Sequence, residues 1–495
     1  MALTRTKTFK NFIGGEWVDA ASGKTFETTS PADGDTLGVF PRSTAEDVDS
    51  AVAAAKAAFE DWRLVPAPER GAMLYRFANL LIEEKDELTD LMTHEMGKVK
   101  AEAGGDVQEA IDMSLYMAGE GRRMFGQTTP SELRDKFNMT VRQPIGVVGV
   151  ITPWNFPIAI PSWKIAPALV CGNTVVFKPA TDTPLLGERF VELLVEAGVP
   201  PGVVNIVHGG GGAVGDRLVR HPDVRVITIT GSRETGVEVL RNAAEGLKHV
   251  HLELGGKNAI VVLDDADLDL AVEGILWSAF GTSGQRCTAA SRVIVQDGAY
   301  DALQSKLVAA AEGLRLGPGW EDETDVGPLI NRAALDKVHS YTAIGESEGA
   351  KLLTGGEIAE NGGGLYYRPT VFGDAEPGMR IAQEEIFGPT TALIPVDSFE
   401  EAVAAANSVR YGLSSSIFTR DVNRAFRAMR DLQTGITYIN AGTTGAEVHL
   451  PFGGTKETGN GHREAGQAAL DVFTEWKSIY VDYSGKLQRA QIDNV

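Results

Sequence analysis

The chain has 495 residues, 43% of them hydrophobic and 23% charged, with a formal net charge of −21. Such a length calls for two to four domains with ample buried core, and the composition is that of a soluble globular protein. An acidic balance without any Lys/Arg-rich run excludes a nucleic-acid footprint, so no nucleic-acid partner is expected. Two cysteines, Cys171 and Cys287, cannot build a disulfide framework, which points to a reducing, cytoplasmic setting. The N-terminus, MALTRTKTFKNFIGGEW, has no apolar stretch of signal-peptide length. The most apolar run, PIGVVGVITPWNFPIAIP, is broken by prolines and followed by Lys164. It reads as buried strand and loop, and no membrane partner is expected. The eight histidines include no HExxH pattern and no Cys/His cluster, so no metal site is expected.

In chain order, the first strong pattern is TAEDVDSAVAAAKAAFEDW. Thr44 is a cap candidate, and Val48, Ala51, Val52, Ala55, Phe59 and Trp62 recur at helical spacing. Helical patterns continue from about Pro68 to about Phe125. At MTVRQPIGVVGVITP the texture changes. Strand-like GVVGVI, NTVVFK, VVNIVHG, VRVITIT and NAIVVL then alternate with helix-like TPLLGERFVELLVEAG and ETGVEVLRNAAEG. This alternation predicts an α/β fold with a parallel, doubly wound sheet. After about Leu254 the pattern restarts: helix DLDLAVEGILWSAF, a loop holding Cys287, strand RVIVQ, helix AYDALQSKLVAAAEG. A second α/β unit is the simplest account. KFNMTVRQPIG and EWKSIYVDYSG read as exposed alternating strands, a liability unless they pair with each other and with another subunit.

Several short stretches carry chemistry. In TITGSRETG a strand ends at Gly231 and a helix follows, so backbone N–H groups there suit a phosphate. The spacing from Gly231 to Gly236 is not GxGxxG, and such a turn is equally a plain strand-to-helix connection. VHGGGGAVGD adds a second glycine-rich strand end, and two neighbouring ones favour a nucleotide crevice. Lys178 ends an apolar strand, either as a ribose or phosphate contact or as a solvated lysine. In PWNFP, Asn155 lies in a rigid apolar loop. It is either an oxyanion donor or an amide satisfying its own loop. In LELGGKN, Glu253 sits in an apolar run that would raise its pKa toward that of a general base, or else it is paired with a nearby donor. Cys287, in SGQRCTAAS, follows flexible residues and Arg286, a cation that would favour the nucleophilic thiolate. Thiolate, base and amide donor together make an acyl-transfer set.

With PWNFP, FKPA, TGS, LELGGKN, GQRC, EEIFGP and PFGGTK in this order, the chain resembles the aldehyde dehydrogenase superfamily along essentially its whole length. The resemblance implies two doubly wound Rossmann-like α/β domains with a small β extension for oligomerisation. It assigns residues 1–122 and 145–254 to cofactor binding and 255–455 to catalysis. Residues 123–144 and 456–495 become bridging strands and tail, with a homodimer or homotetramer expected.

It also implies that Cys287 adds to an aldehyde and that Asn155, with the Cys287 N–H, holds the oxyanion. Hydride transfer to NAD or NADP would leave a thioester, which Glu253 hydrolyses through a water; Lys164 joins the catalytic set. Ile151, Trp154, Lys178, Thr181, Gly211, Gly215, Gly231, Ser232, Gly236, Leu254, Glu385 and Phe387 fall at cofactor positions. Phe156, Trp163, Arg286, Thr288 and Phe452 fall at substrate positions. Many NAD-preferring members carry an acid where this chain has Thr181, which leaves NADP use open, as is a substitute role for Asp182. The tail INAGTTGAEVHLPFGGTKETGNGHREAG resembles the branch acting on amino- or oxo-acid semialdehydes. Arg286 then either pairs with a distal anion of the substrate or only tunes the thiol and anchors its loop. A broad-specificity aldehyde dehydrogenase, a CoA-acylating relative and a non-enzymatic binding protein on the same scaffold are the alternatives.

Overall fold

The computed structural model describes residues 7–493. The first helical pattern is the helix Ala45–Trp62, with Val48, Ala51, Val52, Ala55 and Trp62 buried. The Asp47 carboxylate accepts the Thr44 backbone N–H (2.8 Å) and the Thr44 hydroxyl, which fixes the first turn. The pattern from Pro68 onward resolves into Ala67–Glu83, Lys85–Glu95 and Lys100–Glu120.

The alternating middle of the chain builds a 7-stranded sheet. Its order is His249–Glu253, Val224–Thr230, Val147–Ile151, Thr174–Lys178, Val204–Ile206, then the N-terminal hairpin Asn11–Ile13 and Glu16–Val18. The hairpin is antiparallel to its neighbour and the rest run parallel. The chain leaves Val147–Ile151 in one direction through Thr174–Lys178 and Val204–Ile206, then returns on its other side as Val224–Thr230. A crevice therefore opens at the carboxyl ends of Val147–Ile151 and Val224–Thr230, where such sheets bind ligands. The helix Ala159–Val170 packs on this sheet, buried at every position except Ile160, because it is apolar almost all round.

A second 7-stranded sheet follows, in the order Lys351–Thr354, Thr370–Gly373, Thr390–Val396, Ala290–Gln296, Asn258–Val262, Ser414–Phe418, Ile436–Ile439. All are parallel except Lys351–Thr354. The third element is the pairing of Lys136–Pro144 with Thr474–Asp482 along their whole length, with Thr128–Pro130 on the far edge. The two strands that looked exposed thus cover each other, although more than 300 residues separate them.

The segment 456–473 departs from its sequence assignment to the bridging part. Ala465, Ala469, Leu470, Val472 and Phe473 pack into the core of the first sheet with Val148 and Ile165. Glycines at 459, 461 and 466 let the backbone turn back before the bridging strand begins at Thr474.

Candidate active site

Cys287 lies in the crossover between the helix Leu268–Phe280 and the strand Ala290–Gln296. Three residues before it, Thr282, Ser283 and Gly284, all have positive φ (52°, 55° and 68°). Two non-glycine residues in the left-handed region store strain, which a surrounding structure must hold. The Glu102 carboxylate does so, accepting the Thr282 backbone N–H (2.7 Å) and its hydroxyl (2.8 Å). Gly284 must be glycine in addition because a Cβ would lie 2.1 Å from the Gly388 carbonyl. Beyond the turn, Asn258 Nδ2 donates to the Cys287 carbonyl at 2.8 Å. The cysteine is thus fixed from both sides while remaining partly accessible.

Two cavities meet at this residue. One, of about 400 Å³, is walled by Phe156, Trp163, Trp277 and Phe452 together with Arg286 and Thr288. The other, of about 230 Å³, is lined by Trp154, Asn155, Gly231, Ser232, Glu385 and Phe387. Cys287, Leu254 and Thr230 border both. The first cavity suits an apolar chain entering toward the sulfur. The second lies at the crevice of the first sheet, where a nucleotide is expected.

The side chains around the sulfur are assembled from distant segments. Asn155 is buried, and its Nδ2 donates to the Gln285 carbonyl at 3.0 Å, which places the amide against the cysteine turn. Glu253 closes the strand His249–Glu253, and among the described residues neither of its carboxylate oxygens has a hydrogen-bond partner. Burial, with the neighbouring Glu464 carboxylate, holds Glu253 well above the usual carboxylate range; Lys164 and Arg463 pull the other way. A buried carboxyl of this kind is suited to accept a proton near neutral pH. Lys164 is itself fully buried and paired with Glu464, and it also donates to Thr228 Oγ1 at 3.2 Å.

Burial pushes the Cys287 thiol up to about 12, and the carboxylates of Glu253, Glu385, Glu109 and Glu464 add to the effect. This corrects the expectation that Arg286 would lower it. The Arg286 guanidinium is turned away to Glu102 (3.1 Å) and to Thr282 Oγ1 (2.9 Å), and it stacks on Trp277 at 4.4 Å. Acids therefore dominate the field at the sulfur.

The cofactor candidates gather on the other side. Ser232 caps the helix Arg233–Ala243 through the Thr235 N–H (3.2 Å). Gly236 allows that helix to lie against Leu254, whose side chain a Cβ would meet at 2.6 Å. Burial lowers the Lys178 ammonium to about 8, and the nearby Asp182 opposes the shift. Its Nζ donates to the Pro179 carbonyl at 2.9 Å. Gly215 and Ile151 adjoin the Lys178 stem, and Gly211 is exposed. Glu385 accepts the Gly256 N–H at 3.0 Å, and the Phe387 ring meets Trp154 edge-on at 5.5 Å. Thr181 is exposed. On the substrate side, Trp163 and Phe452 are in edge contact at 5.0 Å, and Lys98 lies 3.5 Å over the Phe156 ring.

A model of the aldehyde dehydrogenase family matches residues 17–479. The chain belongs to the aldehyde dehydrogenase family. As a member it is an enzyme that oxidises aldehydes with a nicotinamide cofactor, NAD or NADP. This aldehyde dehydrogenase is 45% identical to the α-ketoglutaric semialdehyde dehydrogenase of Bacillus subtilis, over 97% of its own length and 99% of the relative's. It is 41% identical to the NADP(+) succinate-semialdehyde dehydrogenase of Escherichia coli, over 97% and 100%. The crystal structure of Staphylococcus aureus betaine aldehyde dehydrogenase with NAD+ superposes with a TM-score of 0.94 at 34% identity, covering 97% and 96% of the two chains.

Four participants escaped the sequence reading: Glu464, His251, Thr228 and Glu102. The first three surround Lys164 and Glu253, and the fourth holds Arg286 and the cysteine turn. His251 had a usable signal, since His-x-Glu in a strand puts both side chains on one face. Glu464, in a glycine-rich loop, had none.

Proposed function

We propose that this aldehyde dehydrogenase converts an oxo-acid semialdehyde to the corresponding dicarboxylate. The observation that carries the proposal is the position of Cys287 at the junction of the two cavities. The Cys287 thiol gives up its proton to solvent, the Sγ adds to the aldehyde carbon, and the developing oxyanion is met by Asn155 Nδ2 and the Cys287 backbone N–H. A bound nicotinamide supplies the hydride acceptor. Loss of hydride from the thiohemiacetal leaves a thioester on Cys287. Glu253 then takes a proton from the water that attacks the thioester carbon; the C–S bond breaks, the acid leaves and the Cys287 sulfur regains a proton. That carboxylate argues for hydrolysis over transfer to CoA, and the complete set argues against a non-enzymatic scaffold.

The crevice fits a nicotinamide dinucleotide. A Cβ at Gly210, Gly211 or Gly212 would meet nothing within 4 Å, which leaves backbone open to a phosphate; Thr230 lines both cavities, and its buried Oγ1 has no hydrogen-bond partner among the described residues. Lys178, Gly231, Ser232, Glu385 and Phe387 would hold it, with Trp154 and Leu254 at its apolar faces. Asp182 accepts Asn331 Nδ2 at 2.9 Å. The neutral Thr181 itself places no charge against a 2′-phosphate, which supports NADP as well as NAD, although the Asp182 carboxylate stays charged near Lys178.

Support for a carboxyl-bearing substrate comes from relatives named for α-ketoglutaric, succinate and glutarate semialdehydes, at 41–45% identity. Arg286 is the one cationic residue among the described residues lining the larger cavity. Its pairing with Glu102 and the aromatic walls favour a second reading, broad specificity for uncharged aldehydes. Initial rates on butanal, benzaldehyde, succinate semialdehyde and glutarate semialdehyde, with NAD and NADP in parallel, separate the two. The semialdehyde reading expects Arg286→Met to raise KM about tenfold for the acids and leave butanal unchanged. Equal loss on every aldehyde rejects anion pairing.

Trp476, Tyr480 and Val481 stay exposed on the strand Thr474–Asp482, which supports a homodimer or homotetramer built across this sheet. Among the described residues no helix is long and apolar enough to cross a membrane. Together with two unpaired cysteines this supports a cytoplasmic enzyme.

A further inference from the structure

His251 and Glu253 are two apart on one strand and share a face. The parallel register sets Thr228 beside His251 and Thr230 beside Glu253. Lys164, from the helix Ala159–Val170, reaches over this face and donates to Thr228 Oγ1 at 3.2 Å. An ammonium can only donate, so the threonine oxygen accepts from Lys164 and its own proton is available to His251 Nδ1, 3.0 Å away. With Nδ1 accepting that proton, the ring proton is on Nε2, and this is the tautomer on which the proposal below is built. Nε2 lies 3.5 Å from Glu253 Oε1. Among the described residues, that nitrogen and both Glu253 oxygens are buried without a hydrogen-bond partner. An orphaned donor and an orphaned acceptor thus face each other, and a small rotation of the glutamate joins them.

We propose that His251 is a positioning residue for the general base: its Nε2–H holds Glu253 Oε1, so that Oε2 is presented to the hydrolytic water. This rests on the deacylating role proposed for Glu253. The groups facing the imidazole are Glu253 on its own strand, Thr228 on the next, Lys164 on the helix, and Glu464, His462 and Arg463 on the returning C-terminal segment. Burial and the cations Lys164 and Arg463 keep His251 neutral, as a fixed tautomer requires.

The test is pre-steady-state kinetics with glutarate semialdehyde and NADP+ on His251→Leu, His251→Gln and Thr228→Val. A glutamine amide can place an N–H where Nε2 stands; leucine cannot. The expected result for His251→Leu is an unchanged burst of reduced cofactor and a steady-state rate about tenfold lower. Its rising pH limb moves to higher pH, because a carboxylate that loses a donor ionises less readily. His251→Gln restores most of the rate and the limb. Thr228→Val, which releases the tautomer while keeping the imidazole, falls between them and serves if the leucine variant does not fold. An unchanged rate and limb in His251→Leu, loss of the burst with the rate, or a glutamine variant no better than leucine overturns the proposal. Glu253→Gln separates the two readings. Full turnover in that variant removes the base role itself, whereas a burst without turnover beside an unaffected His251→Leu removes only the inference about His251.

Discussion

Burial raises the thiols of Cys171 and Cys287 to the same level, about 12 in each case, yet their surroundings have little else in common. Cys171 caps the helix Ala159–Val170, is 2% exposed, and packs in the first core with Leu169 and Val170. Cys287 follows a strained turn and borders both cavities. Its neighbours are carboxylates and an amide, whereas the charges that act most on Cys171 are Arg70 and Arg142, opposed by Asp471 and Glu120. Thiol acidity alone would therefore not tell the two cysteines apart. What distinguishes them is access: Cys287 borders both cavities, with Glu253 and Asn155 among their linings.

The strongest attempt to break this comparison is a pair of substitutions. Cys287→Ser should lower kcat on the order of 10³-fold or more, because a serine hydroxyl is a far poorer nucleophile without a dedicated base. Cys171→Ser should leave kcat within about twofold. Comparable activity in both variants would refute the assignment of the nucleophile.

Glu253→Gln comes next. A stoichiometric burst of reduced cofactor should survive while turnover falls about 10²-fold, the usual range for loss of a general base. In the wild type, the raised pKa of Glu253 means that more of the base is ionised as pH rises. Turnover should then climb across the neutral range rather than level off near pH 5, and a profile flat from pH 5 upward would contradict it.

Alkylation sharpens the contrast further. Iodoacetamide should modify Cys287 in the folded enzyme at a rate rising about tenfold per pH unit between pH 8 and 10, the course of a thiol with a raised pKa. Cys171 should stay unmodified until the protein unfolds, as read by mass spectrometry. The smallest effect expected is on stability. Cys171→Ala removes a buried sulfur and should cost about 1 kcal/mol, measurable as a modest fall in Tm, with kinetics unchanged.

The alternation of β-branched and helical runs made both sheets legible, because a buried parallel strand must be apolar on both faces. Cys287, Glu253 and Asn155 stood out as candidates because each is a polar or reactive group set in apolar or glycine-rich surroundings. The field around the cysteine was not legible. Arg286 is next to it in sequence, but Glu102, which claims that arginine, reaches the turn across 180 residues at Thr282. Lys164 and Glu464 meet across 300 residues. Contacts of that kind depend on how the sheets and the returning segment pack, and no local period encodes them.

That returning segment has a consequence for how the enzyme comes into being. When Cys287 has left the ribosome, Glu464 and the strand that clasps Lys136–Pro144 are still to be made, because they belong to the end of the sequence. The buried Lys164 has no Glu464 to pair with until those residues arrive, so the nascent chain carries Cys287 well before the surroundings of Glu253 are complete.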